Sequence, residues 1–159
     1  MSMKLKGIDE CDIVNYKKTS MFVIFPYCNF KCEKECGEHC CQNSALAQAP
    51  IINIDIMTLV KKYIDNPLTS AVVIGGLEPF DSWNDLKVLI TTLREQSLDD
   101  IVIYSGYYED EIQDKVSQLK QFPNIIIKFG RYIPNQQPHY DPILEVNLSS
   151  DNQYAEVIS

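Results

Sequence analysis

This chain predicts an α/β fold with a mostly parallel sheet. Two observations carry the expectation. Short apolar runs rich in β-branched residues alternate with amphipathic helical patterns in a βαβα order. Most of those runs also stop at glycine or serine-glycine, the punctuation of a strand that turns into a loop. At 159 residues, 45% hydrophobic and 23% charged, the chain has the size and balance of one ordered domain, 1–159.

Taken in order, Ser20 to Phe25 (SMFVIF) reads as a strand. Asp55 to Tyr63 places Ile56, Leu59, Val60 and Tyr63 on one helical face. Ala71 to Ile74 is a buried strand ended by Gly75-Gly76. Ser82 and Asp85 form an S-x-x-D capping pattern before the stripe Leu86, Leu89, Ile90 and Leu93. Ile101 to Tyr104 is a strand ended by Ser105-Gly106, and Glu109 to Lys120 carries Ile112, Val116 and Leu119 on a helical stripe. Ile125 to Phe129 is a strand ended by Gly130. The tail 131–159, with Pro134, Pro138 and Pro142, reads as irregular, with a short strand at Leu144 to Asn147 and a turn or helix at Asp151 to Val157.

The special residues sit at strand ends. A cysteine loop, Gly75-Gly76, Ser105-Gly106 and Gly130-Arg131 each follow the C-terminal end of a strand, the edge at which parallel α/β sheets bind ligands. A formal charge of −8 argues against nucleic acid as the main partner, because phosphate binding needs a basic face. The N-terminal segment lacks the apolar core of a signal peptide, and no stretch reaches the roughly 18 apolar residues of a membrane span. A cytoplasmic address is the expectation, and there thiols stay reduced.

Five of the six cysteines fall between Cys28 and Cys41, in the loop 26–43. Structural zinc sites use C-x2-C hooks, and this loop has none. The wider C-x3-C spacing of Cys28 and Cys32 suits a loop that wraps a larger object, such as an iron–sulfur cubane held by thiolates. Zinc stays open as the alternative, while a thiol relay would want a C-x-x-C. Cys11 stands apart as a small core or surface residue, and His139 reads as solvated.

Cys28-Asn29, Cys32 and Cys41-Gln42-Asn43 resemble the cluster loop of radical S-adenosylmethionine enzymes, most closely the small activating enzymes of anaerobic ribonucleoside-triphosphate reductase with their C-N-x-x-C-x-x-C-x-N loop. Asp12-Ile13-Val14-Asn15 is similar to their D-x-V-N, Gly75-Gly76-Leu77-Glu78-Pro79 to G-G-E-P, Tyr104-Ser105-Gly106-Tyr107 to Y-T-G-Y, and Gly130-Arg131-Tyr132 to G-R-F. Two departures stand out. Eight residues separate Cys32 from Cys41, and Leu77 is inserted before Glu78. The trailing Gln42-Asn43 favours Cys41 as the third ligand, with Cys36 and Cys40 as the other candidates.

The resemblance implies a partial (β/α) barrel of radical-SAM type and a [4Fe-4S] cluster on Cys28, Cys32 and Cys41. It implies S-adenosyl-L-methionine beside Gly75, Gly76, Glu78 and Ser105, with Ser105 donating to the ligand's carboxylate. Arg131 would pair with an anionic group or with the partner. The implied activity is reductive cleavage of S-adenosyl-L-methionine to a 5′-deoxyadenosyl radical that makes a glycyl radical on a partner, anaerobic ribonucleotide reductase. An electron donor such as flavodoxin or ferredoxin would be needed. Two other readings are a short radical enzyme acting on a small molecule, of the deazaguanine-synthase kind, and a zinc-stabilised interaction module without catalysis.

Overall fold

The computed structural model describes residues 1–29, 34, 35, 37, 45 and 48–159. The chain begins with β1 (Ser2–Leu5), β2 (Gly7–Asp12) and β3 (Ser20–Phe25). After the cysteine loop come β4 (Ile52–Asp55), α1 (Ile56–Ile64) and β5 (Ala71–Gly76). Helix α2 (Trp83–Gln96), β6 (Asp100–Tyr104), α3 (Gln113–Leu119) and β7 (Ile125–Phe129) complete the alternation. Three further strands follow: β8 (His139–Asp141), β9 (Val146–Leu148) and β10 (Tyr154–Val157).

Strands β3, β5, β6 and β7 pair in parallel, each beside its predecessor. Antiparallel β2 and β10 flank them, giving the order β10-β7-β6-β5-β3-β2. Among the described residues this sheet ends at β2 and β10 and does not close. Successive right-handed crossovers between neighbouring strands return on one side, so the helices cover one face. That face buries Leu59, Leu86, Leu89 and Val116 against Val23, Val72, Ile103 and Ile127. The opposite face presents Ala71, Val73, Val102 and Ile126.

Local chemistry explains the helix starts. The Asp55 carboxylate accepts the Thr58 amide at 3.2 Å and caps α1. The capping pattern at Ser82 does not form. A 3-10 turn, Pro79–Ser82, leads directly into α2, and Ser82 makes no side-chain cap bond. Its hydroxyl is instead buried without a hydrogen-bond partner. The stripe expected from Glu109 begins as a 3-10 turn at Glu109–Glu111 before α3.

The tail is more regular than its prolines suggest. β8 and β9 form an antiparallel hairpin, and Asp151 to Val157 is a turn followed by strand β10 rather than a helix. An apolar strand such as β7 needs a partner on its open edge, and β10 supplies it. The hairpin lies on the face opposite the helices, where Leu144, Leu148 and Tyr16 cover Val73, Val102 and Ile126. Asp141 pins it there: one carboxylate oxygen accepts the Ile143 and Leu144 amides, and the other accepts the Ala155 amide of β10, each at 2.9 Å. The early strands are also additional to expectation. β2 is polar (GIDECD) because it is an edge with little buried surface, and β1 pairs antiparallel with β4.

Candidate metal centre and adjoining cleft

Strands β3 and β5 keep pairing beyond the sheet. The Leu77 amide donates to the Phe25 carbonyl at 3.2 Å and the Glu78 amide to the Tyr27 carbonyl at 2.7 Å. Cys28 follows as a half-buried thiol at the C-terminal rim of the parallel strands. Asn29, next to it, is held on two sides. Its amide donates to Asp81 Oδ2 at 3.1 Å and its Nδ2 to the Tyr107 hydroxyl at 3.0 Å. Tyr107 in turn donates to Asp81 Oδ1 at 2.6 Å. Burial, then the hydrogen bond to Asp81, raises the Tyr107 phenol, so the hydroxyl keeps its proton.

Glu78 is buried, 5% exposed, behind this rim. Its carboxylate accepts the Gly106 amide at 2.7 Å, the Phe80 amide at 3.1 Å and the Ser105 hydroxyl at 3.1 Å. It therefore struts the β5 exit against the β6 exit. Burial pushes its pKa up to about 7, against the amide bonds that favour the charged form. Ser105 is buried too, and its oxygen accepts the Tyr107 amide at 3.0 Å. The hydroxyl expected to meet a bound carboxylate is thus directed at a carboxylate of the chain itself.

The two glycines are required by packing. Gly76 has φ +89°, and a Cβ there would lie 2.4 Å from Ile24 Cγ2. A Cβ on Gly75 would lie 3.3 Å from Tyr104 Cβ and 3.4 Å from the Phe22 ring. Gly76 and Leu77 border a cleft of about 280 Å³ on the face opposite the helices. Asn15, Tyr104, Ser105 and Lys128 line it on one side, and the tail residues Asn147 and Ser149 on another. The Asp12–Asn15 segment is drawn over this face by a turn in which Asp12 accepts the Asn15 amide at 3.2 Å. The Tyr104 hydroxyl donates to the Asn15 carbonyl.

Four of the expected site residues, Gly75, Gly76, Glu78 and Ser105, meet at one rim with Cys28. Cys32 and Cys41, with the alternatives Cys36 and Cys40, lie outside the described residues. Arg131, expected to meet an anionic ligand or partner, is buried and spends its fork on the chain's own Glu35 and Glu111, each at 2.6 Å, stacked on Tyr108 at 4.6 Å. His139 is half-buried with its Nδ1 shut off from water, not solvated. Cys11 is exposed in β2, whose register pairs Asp12 with Ser20, so it sits at the opposite end of the sheet from Cys28. Asp81 and Lys128 were not singled out from the sequence. Lys128 is buried in β7 and donates to the Ser105 and Gly130 carbonyls at 3.0 Å each. The only signal for Asp81 was its place just after the Gly-Gly-Leu-Glu-Pro rim segment.

The donor chemistry fits an iron–sulfur cluster at the described end of the loop: a soft thiol, half-shielded from water. Among the described residues no group of three or more His, Cys, Asp or Glu could hold a metal. No helix among the described residues is long and apolar enough to cross a membrane. No curated protein gives a significant sequence match. The family profile described as 4Fe-4S single cluster domain matches residues 17–154, from just before β3 into β10. That span takes in the thiol rim, both glycines and the cleft lining apart from Val14 and Asn15, and the chain is a member of the 4Fe-4S single cluster domain family.

Proposed function

We propose that this protein is a radical S-adenosylmethionine enzyme of partial-barrel type that generates a glycyl radical on a partner, anaerobic ribonucleotide reductase. The observation that carries the reading is the cluster family match over a rim where Gly76, Ser105 and Gly106 border one cleft and Cys28 follows the adjoining strand β3. When bound, the cluster supplies the single electron that cleaves S-adenosyl-L-methionine to methionine and a 5′-deoxyadenosyl radical, which takes a hydrogen atom from a glycine Cα.

The chain's own residues bind, orient and shield. Cys28, with Cys32 and Cys41, holds the cluster through thiolates. Gly76 borders the cleft, and its missing Cβ lets the β5 exit pass close against Ile24. Glu78 and Ser105 act through the backbone they fix, holding the β5 and β6 exits in one geometry. Phe22, Tyr104 and Leu148 give the cleft apolar walls that limit water. Among the described residues the sheet does not close, which leaves room for a polypeptide loop and favours a protein partner over an enclosed small substrate.

Anaerobic reconstitution tests this. The expected protein is brown, holds about four irons per chain, and forms 5′-deoxyadenosine from S-adenosyl-L-methionine with dithionite, or with a flavodoxin or ferredoxin donor. Cys28→Ala should lose both the iron and the turnover. Iron-loaded protein that leaves S-adenosyl-L-methionine intact would overturn the radical reading. Turnover with a small substrate and no protein partner would overturn the activase assignment.

A further inference from the structure

The residue beside Cys28 is fixed by a closed ring of hydrogen bonds that the catalytic reading does not use. Asn29 donates from its amide to Asp81 and from its side chain to Tyr107, and Tyr107 donates to Asp81. The ring draws on the β3 exit, the turn before α2 and the turn after β6. Each group matches its partner's capacity. The carboxylate accepts on both oxygens, and the phenol both donates and accepts. Tyr107 is itself anchored through its amide to Ser105, and so to Glu78. The backbone that carries the first loop thiol is therefore set by two side chains remote from it in sequence.

We propose that Asp81 and Tyr107 are positioning residues for Cys28. They hold its thiol at the rim before metal arrives and keep it in register with the cluster afterwards. This rests on Cys28 being a cluster ligand and is independent of S-adenosyl-L-methionine. Outer partners that orient a ligand commonly change metal retention by about 10–100-fold when removed. Tyr107→Phe deletes one hydroxyl and keeps the ring. Asp81→Asn keeps the shape and loses one of the two acceptor positions.

The test reconstitutes wild type, Tyr107→Phe, Asp81→Asn and the double variant anaerobically. It follows iron transfer to a coloured chelator, the spin-resonance spectrum and midpoint potential of the reduced cluster, and the melting of each apoprotein. The clamp predicts apoproteins that melt like wild type, iron loss at least about tenfold faster in each single variant, an altered spectrum or potential, and a double variant no worse than the singles. Asn29→Ala, at an exposed position, should reproduce the faster loss without touching the core. Wild-type chelation rates and spectra in all the variants would overturn the clamp. So would iron loss that merely tracks a lowered apoprotein melting point. Iron-loaded wild type that does not cleave S-adenosyl-L-methionine would overturn the radical reading alone.

Discussion

The two faces of the sheet are covered in different ways. The helical face is sealed by α1, α2 and α3, each inserted between the strands it connects, with Met3 and Leu5 of β1 packed into the same core. The opposite face is covered by Tyr16 from the β2–β3 connection and by Leu144 and Leu148 from the tail. The first face builds the scaffold. The second leaves space beside Gly76 and Leu77 and puts polar side chains around it. The stiffness that holds a thiol rim and the room that admits a ligand are thus assigned to opposite sides of one sheet.

Substitutions on each face can break or sharpen that contrast. Leu89→Ala removes a fully buried side chain from the helical core and should destabilise the whole molecule by about 4 kcal/mol, measured by denaturant unfolding. A loss below about 1 kcal/mol would mean that the helical face is not the scaffold.

The next effect is a pH dependence at the rim between the faces. The Glu78 carboxyl, raised to about 7 by burial, keeps its proton in the folded state where an unfolded chain has lost it. Its contribution to stability is therefore largest below the ordinary glutamate range, falls as pH rises from about 4.5 to 7, and is flat above, a change of about 3 kcal/mol. Glu78→Gln should remove that slope from melting curves taken across the window. An unchanged slope would place its origin elsewhere.

Leu144→Ala should lower stability by about 2 kcal/mol, because its cluster is smaller and can open locally. Hydrogen exchange should rise at β8, β9 and β10 while β5 and β6 stay protected. Faster exchange in the helices as well would show that the two faces unfold as one. Smallest of all, Lys62→Ala breaks an exposed ion pair with Glu10 at 2.6 Å and should shift stability by less than about 0.5 kcal/mol.

The same contrast explains what could be read from the sequence. The parallel strands and α1 to α3 were legible because periodicity reports burial against a neighbouring element. Polar β2 and β8 were not, and β9 was legible only as a short strand set too early at Leu144 to Asn147, since strands with one wet face, interrupted by proline, carry little pattern. At the site, the glycines stood out as strand-end punctuation. Their reason, a Cβ collision with Ile24 in one case, is a fact of packing. Asp81 and the Tyr107 hydroxyl matter through an arrangement of three loops that no local spacing records, and Glu78 proved to be a strut whose partners come from the next strand's exit.

The cleft walls also imply a schedule. Val14 and Asn15 come early in the chain, and Asn147, Leu148 and Ser149 come late. A protein emerging from the ribosome forms its local β-α pairs first and its distant contacts last. The thiol just after β3 is thus in place before the pocket beside it has its far wall. Setting the thiol and completing the pocket are separable moments in the life of each molecule.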